Sequence, residues 1–160
     1  GIIQMKYTPV RNVISASTNS GDGLHVSAFD TAITPVSTSS KIIIQGFFGA
    51  VSSSGGNSFA LTVRRGSSTI NNLRGDADGS RSRHTIRGAT TWNADQNHCH
   101  SYSLNVIDSP NTTSSTTYRI YAAVEGSSSI YFNRNRYNGN SSSPIYSRAM
   151  SSLLVMEVSG

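Results

Sequence analysis

A chain of 160 residues has room for one domain with a real core and is too short for two ordinary ones. Ser, Thr, Asn and Gly make up 71 residues against only 13% charged ones. The first three compete for the helix backbone's hydrogen bonds and Gly is entropically poor in helices, so composition argues against a mainly helical fold. The net charge of +5, carried by eleven Arg and two Lys, favours anionic partners, but no nucleic-acid-binding module is recognisable and nucleic acid is not an expected partner.

The predicted elements are short strands between turn-rich spacers. Residues 2–7 and 13–16 are β-like, and residues 24–33 form the next strand after the turn signal Asn19-Ser20-Gly21-Asp22-Gly23. Pro35 and the Ser/Thr run behind it break the pattern, because Pro removes a ladder donor. Residues 41–51 are apolar at both parities, Ile42, Ile44 and Phe48 against Ile43, Phe47 and Val51, which predicts a central strand covered on both faces. After a loop at 52–56, Phe59, Leu61 and Val63 alternate with Ala60, Thr62 and Arg64 as a half-buried strand.

Residues 65–87 read as the longest loop, and loops of that length are usually functional or mobile. Trp92 precedes a small polar insert, and Tyr102, Leu104 and Val106 alternate within a strand at 100–107. A loop at Asp108-Ser109-Pro110 leads to residues 117–124, the cleanest period-2 segment, with Tyr118, Ile120, Ala122 and Val124 on one face. The turn Glu125-Gly126-Ser127 makes residues 130–133 its expected hairpin partner. Residues 134–148 are a loop, and 153–158 a closing apolar strand. About eight to ten strands at this spacing indicate one all-β domain over residues 1–160, an antiparallel β-sandwich, jelly-roll-like.

No apolar run approaches the roughly 20 residues of a membrane span, so no membrane insertion is expected. Cys99 is the only cysteine, which excludes an intrachain disulfide. The chain starts Gly1-Ile2-Ile3-Gln4 without the zones of a signal peptide and without Met, as expected of a piece of a longer polypeptide.

Gly1-Ile2-Ile3-Gln4 leads to Ile33-Thr34-Pro35-Val36-Ser37 and then to Ser39-Ser40-Lys41-Ile42-Ile43-Ile44. A strand ends in Arg65-Gly66-Ser67-Ser68-Thr69-Ile70, and Asp108-Ser109-Pro110 precedes Thr117-Tyr118-Arg119-Ile120. Ile130-Tyr131-Phe132-Asn133-Arg134 follows, and the chain closes on Ser151-Ser152-Leu153-Leu154-Val155-Met156-Glu157-Val158. This series resembles, over nearly the whole chain, structural proteins of tailed bacteriophages, marine phages among them, known as tail fibre or virion proteins. Their last strand has the same Ser-Ser, apolar run and Met-Glu ending. The resemblance implies a C-terminal β knob of a virion fibre, a homotrimer touching other virion proteins. Together with the β pattern and the polar, Arg/Tyr-rich loops it makes host cell-surface glycan or lipopolysaccharide the expected partner, while the resemblance by itself implies no known ligand. It implies no catalytic residue and no cofactor. Residues 75–97 depart from the family pattern, so the ligand-facing loops carry over least.

Two loops hold the candidate ligand-binding residues. The first offers Arg74, Arg81, Arg83 and Arg87 beside His84; the second offers Arg134, Arg136, Tyr137, Asn138, Tyr146 and Arg148, with Trp92 as a further candidate. Sugar recognition needs aromatic faces beside amide and guanidinium donors, and anionic polymers add a charge term. Tyr and Arg serve a trimer interface equally well. His98-Cys99-His100, if a strand, places both imidazoles on one face roughly 6.5–7 Å apart. Two are too few for a closed zinc site, and a threefold axis would gather six. Their parity with Tyr102, Leu104 and Val106 favours plain packing, so no metal is assigned.

Catalysis has little to work with. There is no Gly-x-Ser-x-Gly elbow, the Glu residues are Glu125 and Glu157, and Asp76 and Asp78 are expected as countercharges for Arg74 and Arg81. A glycosidase pair would face across a cleft instead. A non-enzymatic receptor-binding domain is therefore the leading expectation. The alternatives are a capsid decoration or head fibre part, and a polysaccharide depolymerase.

Overall fold

The structure, a computed structural model, describes residues 1–17, 23–54, 57–89, 97–126 and 128–160. The expected turn residues 19–22, loop residues 55–56, Trp92 with its neighbours and Ser127 lie outside them. The strands are β1 (Ile2–Val10), β2 (Ile14–Ser17), β3 (Leu24–Ile33), β4 (Lys41–Ser53), β5 (Ser58–Arg65), β6 (Ile86–Ala89), β7 (His100–Asp108), β8 (Thr116–Val124), β9 (Ser129–Phe132) and β10 (Ser151–Val158). Single 3-10 turns stand at Asn71–Leu73 and Pro144–Tyr146.

Strands pair by mirrored position in the sequence. β1 runs antiparallel to β10, β2 to β9, β3 to β8, β4 to β7 and β5 to β6. The chain is thus one long hairpin with β5 and β6 at its tip. Curling that hairpin brings β10 beside β4, and β8 beside β5. One sheet has the order β1-β10-β4 with β7 on the far side of β4 and the short β9–β2 pair at its end; the other runs β3-β8-β5-β6. This is the strand order of a jelly roll, the antiparallel sandwich the sequence indicates.

The core forms where period-2 alternation presents one apolar face to the opposite sheet. Tyr118, Ile120, Ala122 and Val124 of β8 and Phe59, Leu61 and Val63 of β5 meet Ile42, Ile44 and Phe48 of β4 and Leu153 and Val155 of β10, all buried. At the centre, Phe29 packs edge-on against both Phe48 and Phe132 with ring centroids 5.3 Å apart, the geometry favoured by the ring quadrupoles.

Among the described residues two carboxylates are buried with this core, each satisfied by donors distant in the sequence. Asp108 accepts from Arg65 Nε and Nη2 at 2.9 and 2.6 Å and from the Tyr118 hydroxyl at 2.6 Å. Glu157 accepts from Gln4 Nε2 at 2.6 Å and the Val36 N–H at 2.8 Å, tying β1 and the β3–β4 link to β10.

Four expectations need correction. β4 continues to Ser53 and is central, but only one of its faces is covered: Phe47 is 47% exposed. β5 is buried on both faces instead of half-buried, with Thr62 and Arg64 among its covered residues. Residues 86–89 are a strand paired with β5, so the loop expected to run to residue 87 ends before Ile86. β9 is not the hairpin partner of β8. It pairs with β2 and β4 in the other sheet, because an apolar pattern fixes which side chains are buried and not which sheet buries them.

Candidate functional site

The outward residues of β5 and β8 make a basic, aromatic floor. The register sets Thr62 opposite Tyr121 and Arg64 opposite Arg119. Arg64 lies flat over the Tyr121 ring at 3.9 Å from its centroid, and His25 of β3 stacks on the same residue at 5.3 Å. Asp30 serves both His25 Nε2, at 2.6 Å, and Arg119 Nε, at 3.6 Å.

The segment between β5 and β6 folds back over the Thr62 and Arg64 side of this floor. Leu73 is buried as its anchor. Thr85 fastens the return: its N–H donates to Leu61 O, its hydroxyl donates to Leu73 O at 2.6 Å, and Thr85 Oγ1 accepts from Val63 N–H at 3.0 Å. His84 Nδ1 lies 2.8 Å from Thr62 Oγ1. Arg74 and Arg83 both donate to Asn71 Oδ1, at 3.0 and 3.1 Å, and Arg83 Nε donates to Gly75 O at 2.6 Å. Arg81 pairs with Asp78 at 3.0 Å on the rim.

Together with Arg64 these groups enclose a cavity of about 340 Å³. A second cavity of about 410 Å³ shares Ser82 and His84 and extends to Arg87 and Glu125, where Arg87 Nη2 donates to Ser58 Oγ at 2.9 Å. Arg74, Arg81 and Arg83 are thus brought into one cavity and Arg87 into the next. Asp78 is the countercharge of Arg81 as expected, but Arg74 turns to Asn71 and not to Asp76.

The second loop is anchored to the other sheet. Asn133, at a φ of 68°, donates through Nδ2 to Val10 O and Asn12 O at 2.9 Å each and accepts from Ser151 Oγ at 2.6 Å. Asn135 Nδ2 donates to Ile145 O at 2.5 Å while its Oδ1 accepts from Asn138 N–H at 2.7 Å. Arg134 stacks over Tyr131 at 4.1 Å and donates to the carbonyls of Asn135 and Arg136. Burial first, then the neighbouring Arg148, lowers the Arg134 pKa, while Tyr131 opposes that shift. Arg148 donates to Asn138 Oδ1 at 2.6 Å, and Tyr137 stacks with Tyr146 at 5.6 Å.

Arg134, Asn138, Arg148 and the two tyrosines therefore knit this loop to itself, and Arg136 is half-buried beside them. The two candidate loops of the sequence lie on two separate surfaces. Trp92 lies outside the described residues.

A third surface carries no charge in its central rows. Across the outer face of the first sheet, Met5, Met156, Ile43 and Ile107 form one row over four strands, and Tyr7, Leu154, Gln45 and Asn105 the next. Met5 is 63% and Ile107 58% exposed. A hollow of about 470 Å³ lies on this face, between Tyr7, Phe47, Ser103 and Leu154. His98 and His100 are exposed, and among the described residues no three His, Cys, Asp or Glu gather as a metal set would.

Sequence reasoning missed Arg64, Arg119, Tyr121 and His25 as parts of the basic face. The signal was there in the parity of β5 and β8: residues alternating with Val63 and Ile120 must point outward.

No protein-family model matches the sequence, and no curated protein matches it. Among solved structures the chain is similar to VP2 of infectious bursal disease virus. It is 12% identical, at a TM-score of 0.38, to a mutant VP2 in derived T=1 particles. It is 14% identical at 0.39 to VP2 of a subviral particle, and 15% identical at 0.39 to a structure of the Gx strain. The matches cover 99%, 99% and 98% of this chain but 37%, 39% and 37% of the other chains, so it spans less than two fifths of their length.

Proposed function

We propose that this chain is a virion structural protein of a tailed phage, the tip domain of a tail fibre, which assembles as a homotrimer and attaches to glycan on the host surface. It is read as a binding module, not an enzyme. The observation that carries this reading is the contrast between the two outer faces of the sandwich. One carries an uncharged apolar row, Met5-Met156-Ile43-Ile107, beside the mixed row Tyr7-Leu154-Gln45-Asn105; the other gathers Arg64, Arg119, His25 and Tyr121, with Arg64 beneath an arginine-bearing segment. The first suits permanent burial against copies of the chain, and the second suits a polar, wet ligand.

Four strands at about 4.8 Å and seven residues at about 3.3 Å give the face a projected area of roughly 400 Å², in which Gln45, Asn105 and Ser103 stand among the apolar side chains, with Ile2 and Ile3 exposed on β1. Second copies of the chain are its occupant, because an uncharged face is compatible with itself and a closed ring buries it on every protomer.

Binding of the purified protein to a panel of host surface polysaccharides tests the attachment, and light scattering tests the assembly. Specific capture of a glycan by a trimer is expected. A trimer silent on every host polysaccharide would overturn attachment in favour of a capsid decoration or head fibre part. Time-dependent shortening of the polymer would overturn it in favour of a depolymerase.

A further inference from the structure

We propose that the cavity between β5 and the segment 66–85 is an oxyanion subsite, which holds a sulfate, phosphate or carboxylate group carried on a surface polysaccharide. The inference takes its ligand from the attachment reading above, while the site is defined by the chain's own electrostatics. Arg64, Arg74, Arg81 and Arg83 share this cavity of about 340 Å³ with His84, and among the described residues no carboxylate lines it. Cations gathered this closely repel one another. Arg65, one residue beyond Arg64, is neutralised by Asp108; the cavity's Arg74 and Arg83 are instead held in place by neutral oxygens, of Asn71 and Gly75.

Their positions are therefore fixed while their charge is not cancelled. An incoming anion relieves the repulsion among them. Guanidinium groups match oxyanions through paired N–H donors, and Thr62, Thr69 and Ser82 supply hydroxyls to the remaining oxygens. The cavity falls in the roughly 300–1,000 Å³ range of ligand sites and is larger than a bare ion needs. The adjoining cavity, entered past Ser82 and His84, gives the rest of the polymer a path along β5.

Isothermal titration of the full chain at physiological salt tests this with sulfated, phosphorylated, uronate and neutral oligosaccharides of equal length. Charged probes are expected to bind and the neutral one not, and the rank of the three identifies the source of the group. Arg74→Gln and Arg83→Gln should each weaken binding about tenfold or more, the worth of one charge-assisted hydrogen bond. Asp78→Asn, which frees Arg81 and is exposed, should strengthen it several-fold and remains decisive if an arginine variant does not fold.

Arg136→Gln and Arg148→Gln make the same change of net charge on the other sheet and should leave affinity unchanged. Equal losses from both sets would overturn the subsite, reducing it to net charge. Host glycan bound as tightly in its neutral form would overturn the subsite and leave attachment standing. Arginine-dependent binding of charged probes without capture of any host glycan would support the subsite while the attachment reading falls.

Discussion

Asp108 is a carboxylate at the end of β7 that is hardly touched by water, yet it accepts from a guanidinium and a phenol at once. Removing one member of such a set leaves the others buried with unmet partners, and that costs far more than the set contributes as a whole. Asp108→Ala should therefore destabilise the fold by about 3 kcal/mol or more, and Tyr118→Phe, which removes one hydrogen bond to a charged acceptor, by about 1.5 kcal/mol, both read from urea midpoints. Burial, then Asp108, pushes the Tyr118 pKa up, so its phenol should stay protonated in alkaline absorbance titration until the chain unfolds. Glu157 behaves in the opposite sense. Burial pushes its pKa up, but hydrogen bonds from Ser40, Gln4 and the backbone of Val36 and Ser37 outweigh it and hold it below the usual carboxylate range. At acid pH the unfolded chain thus binds a proton there before the folded one does. The stability Glu157 adds is fully present above about pH 4.3 and is lost as pH falls through its folded value. Unfolding free energies followed down to about pH 3 should fall less steeply in Glu157→Gln than in the parent.

At the scale of elements, the strands with one buried face were legible because alternation follows directly from the pleat. β3 and β8 lie where Leu24 to Ile33 and Tyr118 to Val124 place them. What alternation does not encode is the identity of the neighbouring strand, so β9 went to the wrong partner, and β6 was hidden because Gly88 leaves it few apolar side chains. Gly88 is small for a reason: a Cβ there would stand 2.6 Å from the Phe59 ring and 2.7 Å from that of Tyr102. The two loops were legible as separate candidates, but the sheet that anchors each was not, since that is decided by long-range bonds such as those of Asn133. β4 was the most instructive case. Its apolar residues at both parities were taken for a strand covered twice within one chain, whereas Ile43 and Phe47 face outward on the surface assigned to self-assembly. If copies of the chain cover that face, Ile43→Asp places a charge in the middle of the apolar row and should convert the assembly to monomers by light scattering. The β spectrum of each monomer should be retained, because Ile43 contributes nothing to the buried core. A monomeric parent protein would sink this assignment.

The whole molecule is a nested hairpin, and the nesting governs how it folds. The strands at the two ends of the chain pair with each other, Gln4 opposite Glu157 and Tyr7 opposite Leu154, whereas only β5 and β6 pair near the tip. Loop closure has to be met before most contacts form, so refolding should fall in the roughly millisecond-to-second range of non-local β proteins. Because Ile2 lies opposite Val158, the ends can be joined through a short glycine linker without disturbing the sheet. New ends can be opened at residues 112–114, an irregular stretch between β7 and β8. In that permutant the most distant pairing becomes a local hairpin, β4–β7 keeps its separation along the chain, and β5–β8 becomes the distant pairing. If closure of the terminal pair limits folding, stopped-flow refolding of the permutant should be several-fold faster with the unfolding rate little changed. An unchanged refolding rate would instead place the slow step in closing β4 on β7, whose separation along the chain the permutation leaves as it was.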